Sequence, residues 1–396
     1  MAEISGSIEP AFAAVRDELD TQFADDKHIG AAVCVYHRGE KVVDIWGGLA
    51  DEDAGTRWEE DTLALSYSTT KGLTATCLHV LADRGEVDYD APVAKYWPEF
   101  AKLGKKKITV YQVLTHQAGL AQIPEGLSGR DLFDWKRVIE GIENERTTWE
   151  PGTETGYHAN TFGFLVGEIV RRVSGKSIGA FLRDEVCTPL GIENDMFIGA
   201  PERVEPRIAT LKSRTKMTPE LAERLQGARD NPDPLRARAM GINTKQDPSE
   251  DTVDYADTPD GHQAEMPSTS GIMTARALAK LYACLASGGE LDDARIMSEE
   301  RVKIMSERQT FKPDRIISVS VGFALGFMCG GDGAWPQGPR VTSFGHAGLG
   351  GSIGFCDPEI DMAFGFTLNA MAMDLIGYGR TSQLAKAARE CAEALR

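Results

Sequence analysis

The chain has 396 residues, 42% hydrophobic and 26% charged, the balance of a soluble globular protein and length enough for two or three domains or two lobes around one site. With 43 Lys+Arg against 60 Asp+Glu its formal net charge is −17, which excludes the basic surface that nucleic acid or an anionic membrane would need. No stretch approaches the ~18 consecutive apolar residues of a membrane span. The opening MAEISGSIEPAFAAVRDELD lacks the basic and apolar regions of a secretory signal, so a cytoplasmic location is expected. The seven cysteines (34, 77, 187, 284, 329, 356 and 391) are scattered and none forms a CxxC. Reduced, buried thiols are expected rather than disulfides or metal ligands.

In chain order, Ile8, Phe12, Val15, Leu19 and Phe23 recur at near-helical spacing and predict an N-terminal helix. Apolar runs over 30–36 and 42–46, with Arg38-Gly39 between them, predict a β-hairpin. Residues 86–270 hold helical patterns broken by Pro and Gly, with few strand signals. Within them, 201–266 is polar, and 203–245 carries ten Lys/Arg against five Asp/Glu. This stretch reads either as a solvated surface insertion or as a lid over a cleft. Residues 321–328, 352–356 and 362–368 read as strands, and a last helix carries Leu384, Ala387, Ala388, Cys391 and Leu395 on one face. The two ends of the chain, 1–85 and 271–396, therefore predict one discontinuous α/β lobe, an antiparallel sheet flanked by terminal helices. Residues 86–270 predict an inserted all-helical lobe.

Three elements carry chemistry. The first is Ser68-Thr-Thr-Lys71, followed by the apolar helical face Leu73, Cys77, Val80 and Leu81. Residues three apart are neighbours on a helix, so Ser68 is read in the first turn with Lys71 beside it. A serine hydroxyl needs a base to become a nucleophile, and a desolvated lysine can be that base when neutral. A second S-x-x-K, Ser213 to Lys216, lies in the polar stretch with no apolar helix behind it and reads as coincidence. The second element is Tyr157-His-Ala-Asn160, ahead of a helix with Phe162, Leu165, Val166, Ile169 and Val170 on its apolar face. Tyr157 could relay a proton or simply pack. Asn160 is read as the helix N-cap, and His158 as a satisfied structural histidine. The third is His346-Ala-Gly348-Leu349 in a Gly-rich stretch, where His346 could donate a hydrogen bond to a substrate carbonyl or carboxylate. The same stretch holds a decoy, Gly350-Gly-Ser352-Ile-Gly354, which matches G-x-S-x-G. There the serine leads into a strand, not the helix that a nucleophile elbow needs.

Taken together, in order and spacing, these elements resemble the penicillin-recognising serine hydrolases. The closer resemblance is to the class C β-lactamase branch, and within it to the family VIII carboxylesterases. The phrases Val113-Leu-Thr-His-Gln-Ala-Gly-Leu120, Trp149-Glu-Pro-Gly-Thr153 and Ser270-Gly-Ile-Met-Thr-Ala-Arg276 share it. The resemblance implies the family's α/β lobe with an inserted helical lobe, Ser68 as the acylated nucleophile, and Lys71 with Tyr157 as general base and acid. It also implies an oxyanion hole from the N–H groups of Ser68 and Leu349, with His346, Gly348 and Gln122 lining the substrate site. Class C enzymes carry Tyr-x-Asn and Lys-Thr-Gly, whereas this chain has Ala159 and His346-Ala-Gly348 at those places. Losing the amide and the ammonium removes two anchors for a β-lactam. The expected function is thus hydrolysis of a small-molecule carboxylic ester, with weak β-lactam turnover as a side activity. No metal or cofactor is implied, and the oligomeric state stays open, a homo-oligomer included. The alternatives are a β-lactamase or D-Ala-D-Ala peptidase, an acyltransferase, and a non-catalytic scaffold on the same fold.

Overall fold

In a computed structural model, which describes residues 3–214, 219, 223, 226–227, 233–241, 255–331, 335–372 and 379–396, the hairpin read at 30–46 lies near one edge of a ten-stranded sheet, whose tenth strand, Thr56–Arg57, pairs off the main path with the second strand of the hairpin. Lys216 of the second S-x-x-K pair lies outside the described residues.

The N-terminal helix starts later than its periodicity suggests. Ile4–Ile8 is a strand, β1, and only Ala13–Ala24 is α-helix, α1. Pro10 explains the break: the residue before a proline is driven out of the helical region, and Glu9 is extended (φ −67°, ψ 136°). Ile8 therefore pairs with Val43 in the sheet rather than continuing the helical stripe. Strands β2 (Gly30–His37) and β3 (Glu40–Asp51) follow.

After the inserted segment come helix α5 (Ala275–Ala286) and strands β4 (Thr310–Pro313), β5 (Ser320–Phe323), β6 (Met328–Cys329), β7 (Phe344–Ala347), β8 (Ile353–Asp357) and β9 (Met362–Leu368). The chain closes with helix α6 (Gly379–Ala394). The sheet order is β1-β3-β2-β9-β8-β7-β6-β5-β4, antiparallel at every step. The run read as one strand over 321–328 is two, β5 and β6. The chain reverses between them through Gly326, at φ +83°. His346 and Ala347 of the Gly-rich stretch end strand β7.

Side chains alternate across a strand, which gives the sheet two buried faces. Val33, Val35, Phe364 and Phe366 pack with Val15 and Leu19 of α1 and Leu384 and Ala388 of α6. Cys34, Tyr36 and Ala363 point the other way, toward Leu278 and Tyr282 of α5. That second cluster continues without a break through helix α2 (Thr70–Asp83) into residues 86–270, whose main buried helix is α3 (Thr161–Ser174). Among the described residues of that segment, the regular elements are helices apart from the short strands Met196–Ile198 and Lys212–Ser213. All seven cysteines are free, and all but Cys391 are buried.

The polar stretch is tied down at both ends. Lys212–Ser213 pairs in parallel with Ala370–Met371. His262 lies between two carboxylates, with Nδ1 3.0 Å from Glu205 Oε1 and Nε2 3.2 Å from Asp257 Oδ1. Carboxylates only accept, so both ring nitrogens must donate and the ring is an imidazolium. Burial pulls its pKa down, but the two acids outweigh it and the net shift is upward from 6.5. The stability of this clamp is full below ~6.5 and is lost as pH rises through the raised folded value. His262→Gln is expected to lower Tm by about 2–4 °C at pH 6 and by less at pH 9, as read by thermal melts.

Candidate active site

A three-stranded sheet, Ala64–Leu65, Gly271–Met273 and Met196–Ile198, delivers two loops to one place. Ser66 N–H donates to Gly271 O at 2.8 Å. Tyr67 then takes a left-handed conformation, φ +43°. For a bulky residue that is strained, and such strain persists only where the surroundings hold it. Here the Thr70 hydroxyl holds it by donating to Tyr67 O and accepting Gly271 N–H. The resulting tight turn, with Lys71 N–H on Ser68 O at 3.0 Å, places Ser68 two residues ahead of α2 rather than inside its first turn. Among the described residues the Ser68 N–H has no backbone partner.

Lys71 is fully buried. Its Nζ is 3.0 Å from Ser68 Oγ, 2.7 Å from Ala159 O and 3.1 Å from Ser268 O, and 4.9 Å from the centre of the Tyr157 ring. None of these partners is a carboxylate. Burial without a counter-charge holds the amine well below the usual 10.5.

Ser268 gave no sequence signal of its own, although it stands just before the recognised phrase that begins at Ser270. Its hydroxyl donates to Asn160 O at 2.8 Å and accepts Gly163 N–H at 2.7 Å. A Cβ on Gly163 would lie 2.3 Å from the Pro267 carbonyl carbon, so only glycine lets α3 reach this loop. Asn160 holds the N-cap position of α3, as read, but its side chain makes no cap bond. The third N–H of α3, which a cap side chain would take, is already taken by Ser268. Asn160 instead donates its amide to Ala239 O at 3.0 Å.

Tyr157 is buried and sits 6.4 Å from Phe323, nearly parallel to it, and 6.1 Å from His346. A reverse turn, Ala159 N–H on Tyr157 O at 2.9 Å, aims the Ala159 carbonyl at Lys71. His158 is structural, as read. Nδ1 donates to Gly156 O at 2.6 Å and Nε2 accepts Leu120 N–H at 3.1 Å.

His346 departs from its reading. Nδ1 lies 2.8 Å from Ala347 O. A carbonyl only accepts, so the hydrogen sits on Nδ1 and Nε2 carries a bare lone pair. Burial, and then the charge of Lys71, push its pKa down to about 3. The ring is thus neutral, and its buried Nε2 can accept a hydrogen bond but not donate one.

Gly348 is pressed against the Ser68 turn, and a Cβ there would lie 2.2 Å from Ser66 O and 2.3 Å from Ser352 Oγ. Leu349 opens the turn Leu349–Gly351, so its N–H lies outside that turn's own bonds; its side chain is exposed. Ser352 is buried, with Oγ donating to Ser66 O at 2.9 Å and 3.1 Å from Thr69 Oγ1. Strand β8 follows it directly, so there is no elbow. Ser352→Ala is expected to retain turnover and to cost about 1 kcal/mol of stability, measured by steady-state kinetics and urea melts.

Gln122 is half-buried beside Ala121, which packs in one cluster with Tyr157 and Ala159. Ala239 belongs to the same cluster, and Leu235 and Met240 pack against it. These three residues are on helix α4 (Pro234–Met240). This part of the polar stretch is therefore not a solvated surface but a wall of the Tyr157 side of the site. Among the described residues no group of three or more His, Cys, Asp or Glu side chains is arranged to hold a metal ion, and no helix is long and apolar enough to cross a membrane.

Residues 15–387 match the β-lactamase family. The chain is 36% identical over 387 residues to the esterase/β-lactamase LipL of Mycobacterium tuberculosis, an alignment covering 94% of this chain and 84% of that one. It is 30% identical over 204 residues to esterase EstB of Burkholderia gladioli, covering 47% and 51% of the two chains. Among solved structures, a family VIII carboxylesterase superposes with a TM-score of 0.87 at 37% identity, covering 98% of this chain and all of that one. A penicillin-binding protein homologue from Caulobacter crescentus gives 0.87 at 33% identity, with the same coverage. With a family match along nearly its whole length and relatives this similar, the chain belongs to the β-lactamase family, as a serine hydrolase of the β-lactamase and penicillin-binding-protein superfamily.

Proposed function

We propose that this protein hydrolyses small carboxylic esters through an acyl-enzyme on Ser68. The observation that carries the reading is Lys71 Nζ, buried 3.0 Å from Ser68 Oγ and bonded to the neutral oxygens of Ala159 and Ser268. A neutral amine has two N–H groups and one lone pair. The carbonyls of Ala159 and Ser268 take the two N–H groups, which leaves the lone pair for the Ser68 hydroxyl hydrogen.

Ser68 Oγ attacks the ester carbonyl as Lys71 takes its proton. The charge that develops on the carbonyl oxygen meets the N–H groups of Ser68 and Leu349. The proton then passes by way of Lys71 and Tyr157 to the departing alcohol, leaving Ser68 acylated. Water attacks the acyl carbonyl, gives its proton back along the same path and releases the acid. Gly348 keeps Leu349 against the Ser68 turn, and Gln122 stands at the Tyr157 wall.

Esters are favoured because His346-Ala-Gly348 stands where a Lys-Thr-Gly ammonium would anchor a carboxylate. His346 is neutral and presents a lone pair, which repels an anion. The naming of LipL and EstB as esterases and the likeness to a family VIII carboxylesterase support this. The name of LipL also carries β-lactamase, which keeps slow β-lactam turnover as a second reading.

The test is hydrolysis of p-nitrophenyl butyrate with intact-mass mapping of the acyl adduct. The adduct is expected on Ser68, with turnover abolished in Ser68→Ala; turnover that survives there overturns the reading. Nitrocefin turnover outpacing ester turnover would favour the second. Because Lys71 must be neutral to act, kcat/KM is expected to rise with pH along an acid limb centred well below the 10.5 of free lysine.

A further inference from the structure

We infer that Asp314 is the positioning residue for Tyr157. It lies in the loop between β4 and β5, on the main sheet, and its Oδ1 accepts the Tyr157 N–H at 3.0 Å from a segment 157 residues away in the chain. The same oxygen accepts Ile316 N–H at 2.8 Å and Ile317 N–H at 3.0 Å. One carboxylate oxygen thus shapes its own loop and grips the Tyr157 backbone at once.

The grip is reinforced on both sides. Arg315 N–H donates to Thr155 O at 3.0 Å, and the Arg315 guanidinium pairs with Glu154 at 2.7 Å. From the far end of the same hairpin, Phe323 lies against the Tyr157 ring at an interplanar angle of 9°. Backbone and ring of Tyr157 are therefore both set by one hairpin of the sheet, while Lys71 is set by α2. Asp314 is 2% exposed, and its Oδ2 has no partner among the described residues. Burying an ionisable group with one oxygen unpaired is costly, and burial pushes its pKa up. Serine or threonine would turn the loop more cheaply, but a hydroxyl would not span three N–H groups.

The inference rests on Tyr157 handling a proton in turnover, and the closing experiment separates the two. Asp314→Ala, Asp314→Asn, Tyr157→Phe and the Asp314→Ala/Tyr157→Phe double variant are assayed on p-nitrophenyl butyrate. Asp314→Ala is expected to lower kcat by roughly 10–100-fold with KM within about twofold, since small misplacement of a reacting group costs this much. Asp314→Asn keeps an acceptor oxygen and is expected within about threefold of the parent. In the Tyr157→Phe background Asp314→Ala is expected to have no further effect, because the two act as one unit.

Equal losses from Asp314→Ala in both backgrounds, or a parent-like kcat, would overturn the inference. Should Asp314→Ala fail to fold, Asp314→Ser takes its place in the same cycle. Turnover surviving in Ser68→Ala would sink the functional reading alone. The coupling is read from the Tyr157-dependent part of whatever ester turnover the protein has.

Discussion

Lys71→Ala is expected to lower kcat/KM for a short-chain ester by about 10³-fold, within the range for removing a positioned general base. The variant should also lose the acid limb of the pH profile, because among the described residues no other amine is bonded to Ser68 Oγ. The effect will not be purely chemical. With the amine gone, the carbonyls of Ala159 and Ser268, which it bonds at 2.7 and 3.1 Å, are left buried and unpaired, at about 1–3 kcal/mol each. Melting and kinetics are therefore measured together. A Lys71→Ala protein that stays folded and still acylates Ser68 at the parent rate would remove the lysine from the mechanism. Ser68→Ala is the complementary control, since it removes the nucleophile and leaves both carbonyls bonded to the amine.

Gly348→Ala is expected to lower kcat by about 10²–10³-fold, the loss typical of one missing oxyanion donor. The argument is steric. Gly348 has an ordinary extended backbone, φ −111° and ψ 157°, so alanine brings no torsional strain. Its Cβ would stand 2.2 Å from Ser66 O, an atom already bonded to Thr69 N–H and to the Ser352 hydroxyl. Neither contact can yield cheaply, so the end of β7 must back away and carry the Leu349 N–H from Ser68. Parent-like kcat in a folded Gly348→Ala protein would show that this close approach does not set the oxyanion geometry. KM for a neutral ester should change much less than kcat, because the oxyanion exists only beyond the ground state.

Residues that act through side chains at short spacing were legible beforehand. Ser68 and Lys71 are three apart, and any helical turn brings them together. Tyr157 and the His346-Gly348 stretch were legible as patterns, though not their contacts. Ser268 and the carbonyl of Ala159 were not legible, because every residue carries a carbonyl and no side-chain type marks which one turns inward. Asp314 was not legible either, since a lone Asp in a loop reads as a turn residue. Two readings changed, one through partners remote in the chain and one through the neighbouring residue. Asn160 lost its capping role to Ser268 and bonds Ala239 instead. His346 became an acceptor because its own strand places Ala347 O on Nδ1. Pro10 was visible all along, and giving its local rule more weight than helical periodicity would have placed the start of α1 correctly.

What the amino-acid order determined by itself is the covalent spacing and the apolar pattern. From these follow the hairpin at 30–46, the terminal helices against one sheet, and a serine and a lysine one turn apart. What only the tertiary structure decided is the chemical state of those groups. Lysine is cationic in water, and burial among the carbonyls of Ala159 and Ser268, with no carboxylate bonded to it among the described residues, makes its neutral form accessible. That environment is assembled from segments about 90 and 200 residues away along the chain. Desolvation depends on what surrounds a group in space, and no local pattern around Lys71 encodes it.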